Sequence, residues 1–166
     1  SLAAPALDTW ITAGPGSQSA YGSASFAFDA NYAATFECKV DGGAFEACRT
    51  PTVLSGLSEG AHTFAVLARD PLGTPADVAD ATTWTVDLTP PAPASLGSPV
   101  HGAANLPSSI AFAWSTSEDN LTGVDGYELW VDNTKVASMP STSCANSICR
   151  AQPGEALSSG LHSWEV

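Results

Sequence analysis

Thr35-Phe36-Glu37-Cys38-Lys39-Val40-Asp41-Gly42-Gly43 is the stretch whose reading decides the fold. Phe36, Cys38 and Val40 alternate with Thr35, Glu37 and Lys39, the period of two that a strand shows when one face is buried and the other is wet. Asp41-Gly42-Gly43 then marks a hairpin, because aspartate and glycine tolerate the positive φ angles of a tight turn. Working outward, the alternation recurs on both sides. Phe26 and Phe28 share a face against Ser25 and Asp29, while His62, Phe64, Val66 and Ala68 oppose Thr63, Ala65, Leu67 and Arg69. Trp84 and Val86 supply the inward face of a further strand. No helical period of any length appears, so the chain is expected to be all-β, its first part a sandwich of about seven strands.

At Asp87-Leu88-Thr89-Pro90-Pro91-Ala92-Pro93 the alternation stops, since proline cannot donate to a ladder and restricts the residue before it. Beyond it Ile110, Phe112 and Trp114 share one face, then Tyr127, Leu129 and Val131, with Asp132-Asn133 turning into a run from Lys135 to Met139. The reading is therefore two sandwiches in series: residues 1–89, a proline-rich linker over 90–93, and residues 94–166. The linker is expected to limit the angle between them.

Gly56-Leu57-Ser58-Glu59-Gly60, two residues before His62, spells the G-x-S-x-G of a hydrolase nucleophile elbow. That elbow needs a strand before the serine and a helix after it; here a strand follows. The stretch also recurs a hundred positions on, where Leu157-Ser158-Ser159-Gly160-Leu161-His162 keeps the leucine, serine, glycine and histidine but has Ala156 in place of the first glycine. No carboxylate stands in an evident relation to His62 to orient it as a base. The expected role is architectural: the leucine packs, the glycine turns, and His62 and His162 act as corner pins bonded to a nearby backbone carbonyl. As metal ligands they lack a second His, Cys or carboxylate at ligand spacing.

Seventeen acidic residues against five basic give a formal net charge of -12, which disfavours nucleic acid and anionic membrane surfaces as partners. No run approaches the ~18 apolar residues of a membrane helix, so no membrane insertion is expected. The start, Ser1-Leu2-Ala3-Ala4-Pro5, lacks the regions of a signal peptide and reads as part of a longer chain. Four cysteines form two close pairs, Cys38 with Cys48 and Cys144 with Cys149, neither at the C-x-x-C spacing of a zinc or redox site. The expectation is two disulfides and an extracellular or cell-surface location. Glu118-Asp119-Asn120-Leu121-Thr122-Gly123-Val124-Asp125 offers hard oxygen ligands of the kind calcium prefers in Glu118, Asp119 and Asp125, but lacks the alternate-position carboxylates of a calcium loop. It reads as an ordinary acidic turn, so neither a metal nor a cofactor is expected. Asn120-Leu121-Thr122 is also an N-glycosylation sequon.

Residues 35–48, followed by Gly56 to Phe64 and closed by Trp84-Thr85-Val86-Asp87-Leu88-Thr89-Pro90-Pro91, resemble the bacterial immunoglobulin-like repeats of large secreted and cell-surface proteins. The second unit is similar to fibronectin type III-like repeats: Ile110-Ala111-Phe112-Ala113-Trp114 matches their tryptophan-bearing second strand and Gly123 to Val131 their third. The resemblance implies a non-catalytic extracellular spacer or adhesion module. The alternative is an accessory module on a secreted enzyme, binding polysaccharide or protein. Trp10, Trp84 or Trp130 would then stack on the ligand, Trp130 first, because its parity opposes Tyr127, Leu129 and Val131.

The first unit runs for a further ~23 residues past the repeated strand, so by that pattern the second lacks its last strand. The strand ending at Val166 is then an unpaired edge able to self-associate with another copy. A chain lengthened by about 25 residues is expected to melt higher and elute as a smaller species in gel filtration; no change in either measurement would count against this reading.

Overall fold

The computed structural model describes residues 5–166. The chain divides into two compact units, Ser1–Leu88 and Thr89–Val166. Both are built of β-strands joined by turns, with one turn of 3-10 helix at Ser141–Ser143, and no helix among the described residues is long and apolar enough to cross a membrane.

The first unit contains β1 (Thr9–Ala13), β2 (Gln18–Ser19), β3 (Ser23–Ala30), β4 (Thr35–Val40), β5 (Glu46–Cys48), β6 (Thr52–Ser55), β7 (Gly60–Arg69) and β8 (Asp80–Val86). Strands β1-β3-β6 form one sheet and β2-β8-β7-β4-β5 the other. All pairings are antiparallel except β2 with β8. The extra, two-residue β2 has no apolar alternation of its own to announce it.

The core lies between the two sheets. Ala24, Phe26 and Phe28 of β3 meet Cys38 of β4, Phe64 and Val66 of β7, and Trp84 and Val86 of β8. The Phe26 and Phe64 rings stack with centroids 4.0 Å apart, and Trp84 closes on Phe26 at 5.1 Å. Each of these residues sits on the inward parity of its strand. Ala65, on the opposite parity of β7, is buried as well. Strand β1 stitches the sheets together: the Ile11 amide donates to Asp80 Oδ2 at 2.7 Å, and the Thr9 hydroxyl accepts from the Ala68 amide at 3.0 Å.

The second unit contains β9 (Leu96–Ser98), β10 (Phe112–Ser115), β11 (Gly126–Val131), β12 (Thr134–Pro140), β13 (Ile148–Ala151) and β14 (Trp164–Glu165). Its sheets are β9-β10-β13 and β12-β11-β14, antiparallel throughout. Phe112, Trp114 and Cys149 face Tyr127, Leu129 and Val131, with Trp164 edge-on to Phe112 at 5.1 Å. The Tyr127 hydroxyl leaves this core at one point, accepting from the Ser117 amide at 2.7 Å. Among the described residues β14 pairs with β11 on one side only and lies at the sheet edge.

The division falls between Leu88 and Thr89, and Ala92, expected in the linker, donates its amide to the Glu118 carbonyl at 2.9 Å and so belongs to the second unit. Only the prolines there lack a donor; Ala92 between them keeps one and uses it. Ile110 precedes β10 and packs against the core from a loop.

Both cysteine pairs are disulfides, with Cα separations of 5.7 Å for Cys38–Cys48 and 4.3 Å for Cys144–Cys149. The first ties β4 to β5 across the hairpin. The second clamps the tight turn Ala145–Ile148, in which Asn146 and Ser147 both have positive φ.

Phe26→Ala should lower the stability of the first unit by about 3–5 kcal/mol, because it empties the centre of the inter-sheet stack. Val53→Ala, at a 70% exposed position, should stay within about 0.5 kcal/mol. Denaturant unfolding of the two variants against the parent chain checks both.

Candidate functional site

The residues that mimic a hydrolase motif do meet, in a different chemistry. His62 enters β7 on the inward parity and is 7% exposed. Its Nε2 lies 2.8 Å from the carbonyl oxygen of Ser58, and its Nδ1 lies 3.0 Å from Asp41 Oδ2. Asp41, at the turn after β4 with φ 52°, also accepts from the Thr63 amide through Oδ1 at 2.8 Å, while its own amide donates to the Thr63 carbonyl at 2.8 Å. One aspartate thus fastens the β4–β5 turn to the start of β7, and one imidazole fastens both to the preceding loop.

The second unit repeats this clasp bond for bond. His162 Nε2 meets the Ser158 carbonyl at 2.9 Å and Nδ1 meets Asp132 Oδ2 at 2.6 Å. Asp132 Oδ1 accepts from the Ser163 amide at 2.8 Å, and the Asp132 amide donates to the Ser163 carbonyl at 3.0 Å. Asp132 too is held at positive φ, 49°. The glycines of the repeated stretch, Gly60 at the entry to β7 and Gly160 in the loop before β14, take φ of 127° and 150°, a backbone that side-chain-bearing residues rarely adopt.

Electrostatics agree between the copies. The Ser58 carbonyl, then the Asp41 carboxylate, raise the His62 pKa above its ordinary 6.5; for His162 the Asp132 carboxylate leads and the Ser158 carbonyl follows. Asp41 is held below the usual carboxylate range by the Thr63 amide and then by His62, and Asp132 by His162 and then by the Ser163 amide.

The structure corrects the sequence reading on one residue: a carboxylate does orient His62, and it is Asp41. Asp, His and Ser come together, but the serine contributes its main-chain oxygen, and Nε2, which a triad must offer to a hydroxyl, is already engaged. Ser58 lies between β6 and β7, with no helix after it. The aspartate was legible in a comparison that the hundred-residue repeat does not make. Phe36-Glu37-Cys38-Lys39-Val40-Asp41 aligns with Tyr127-Glu128-Leu129-Trp130-Val131-Asp132, and Phe26-Ala27-Phe28 with Phe112-Ala113-Trp114. The spacings are 91, 86 and, for the leucine repeat, 100 residues, so a fixed offset catches only one of them.

Trp130 lies on the outer face of β11, half-buried. Lys135, its cross-strand partner, carries Nζ 5.9 Å from the ring centroid and 2.8 Å from Glu128 Oε1. That ion pair holds the Glu128 carboxyl below its ordinary range. Trp130, Pro91, Pro93 and Glu128 line an open groove of about 290 Å³. Of the other candidate stacking residues, Trp84 is excluded by its burial in the core, at 3% exposure, whereas Trp10 is 39% exposed on β1.

In the acidic loop, Asp119 Oδ1 accepts three amides, from Leu121, Thr122 and Gly123, at 2.9–3.0 Å. That oxygen closes the turn, and no group of three or more His, Cys, Asp or Glu able to hold a metal occurs among the described residues.

A scan against protein-family profiles, a search of characterised proteins and a search of solved structures each find no match to this chain.

Ser58→Ala should change stability by less than about 0.5 kcal/mol, since only the backbone oxygen is used. Asp41→Ala should cost about 1–2 kcal/mol after allowance for screening at a half-exposed position, because it strips partners from the Thr63 amide and the His62 ring. Equilibrium unfolding in urea distinguishes the two, and equal effects would contradict this account of the clasp.

Proposed function

We propose that the chain is a non-catalytic extracellular module, two immunoglobulin-like or fibronectin III-like β-sandwiches in series, serving as a spacer or adhesive segment of a larger secreted or surface protein. The observation that carries this reading is the duplicated clasp. The Asp–His–Ser grouping occurs twice among the described residues, and in both copies both ring nitrogens are committed to joining one segment of the fold to another. Two disulfides in small cores accord with an oxidising compartment.

A second reading rests on Trp130. A half-buried indole beside two prolines, next to the Glu128–Lys135 pair, combines an apolar face with polar groups able to bond hydroxyls, which is what a carbohydrate ring requires. The Lys135 side chain over the ring competes for that face, which favours the spacer reading.

Ester, peptide and glycoside substrates incubated with the parent chain and with His62→Gln should show no turnover above buffer in either. Turnover present in the parent and lost in the variant would overturn the non-catalytic reading. On a glycan array the parent and Trp130→Ala are expected to be equally blank; a signal abolished by Trp130→Ala would instead establish the binding module.

A further inference from the structure

Each clasp places a hydrogen-bond acceptor on both sides of an imidazole. The Ser58 and Ser158 carbonyls have no proton to give, and the Asp41 and Asp132 carboxylates are kept ionised by the amides and rings bonded to them. A neutral imidazole has a single N–H. Whichever tautomer it adopted, one bare ring nitrogen would face an oxygen lone pair at 2.6–3.0 Å. Only the doubly protonated ring satisfies both contacts.

We propose that both clasps hold their histidine as an imidazolium ion, so that removing one ring proton releases the hairpin turn from the neighbouring strand in both units. The fold thereby contains two copies of one proton-gated latch.

The surroundings of the two rings support this. Asp41 is the charged side chain acting on His62, and the other close neighbour is the Trp84 ring of β8, whose centroid lies 5.5 Å away and whose π-face favours a cation. Asp132 is the charged side chain acting on His162, and Glu155 lines the same groove, adding negative rather than positive charge around the ring. The His162 side chain is more exposed than that of His62, 24% against 7%, so salt screens the second latch more strongly.

The pH window follows from the direction of each shift. Both histidines are raised on folding, so their contribution is complete below pH 6.5 and is lost as pH climbs through the folded-state value. Both aspartates are lowered, so theirs is complete above pH 3.8 and is lost as acid protonates them. The latches are therefore tightest between those limits and loosen as pH climbs through the folded-state values of the two histidines.

Long-range proton–nitrogen correlation spectra of the full chain, recorded from pH 5 to 10, report the protonation of each ring nitrogen directly. At pH 7 both nitrogens of His62 and of His162 are expected to show imidazolium shifts, with titration midpoints above 6.5, and Asp41→Asn or Asp132→Asn should move the corresponding midpoint down. The melting temperature should fall between pH 6.5 and 9 in the parent and fall less in His62→Gln. A neutral ring in a single tautomer at pH 7, or midpoints unmoved by the Asp→Asn changes, would overturn the proposal. If a variant does not fold, the parent spectra decide the matter alone.

Discussion

A strand that buries one face must bury whatever its sequence places on that parity, and in β7 this includes His62 along with Phe64, Val66 and Ala68. An imidazole taken out of water needs partners for its ring nitrogens, or its burial costs more than its packing returns. The partners come from three places in the chain: a turn aspartate, a loop carbonyl and, for the ring face, Trp84. Much of the local architecture follows from satisfying that one ring. It sets the position of the β4–β5 turn against β7, the path of the loop before β7, and the need for a glycine at Gly60 where the loop becomes strand.

The second unit repeats the aspartate and carbonyl contacts around a ring that is exposed and precedes β14. Strands β3, β4 and β7 correspond to β10, β11 and β14, and the flanking pairings β1-β3-β6 and β9-β10-β13 have the same order. The loops between these strands differ in length, yet the clasp distances in the two units agree to within 0.4 Å. Loop length is thermodynamically inexpensive, whereas the bonded ring tolerates little displacement.

The disulfides are the element that the two units do not share in position. Cys38–Cys48 braces β4 against the short β5, and Cys144–Cys149 closes the turn that leads into β13, with Cys149 fully buried among the aromatic residues. Both close short loops in units of fewer than a hundred residues, where the core alone gives a small margin of stability and a covalent constraint on the unfolded chain matters most.

Period-two alternation placed β3, β4, β7, β8, β10, β11 and β12 with their buried faces, while turn residues marked Asp41 and Asp132 and cysteine spacing gave the two pairs; β1, β2, β5, β6, β9 and β13 were not legible, being short or irregular in pattern. It also pointed to a ring-to-carbonyl bond at both histidines. What it missed, in finding no carboxylate to orient His62, was the partner on the other ring nitrogen, since Asp41 and His62 are 21 residues apart and Asp132 and His162 are 30 apart. Only the antiparallel pairing of β4 with β7, and of β11 with β14, carries each turn to its histidine. Likewise, that Trp84 is buried and Trp130 half-open, and that Asp119 spends its oxygen on three amides of its own turn, are outcomes of how sheets stack and loops close. A side chain's type announces what it needs, but which distant group meets the need is settled when the strands come into register.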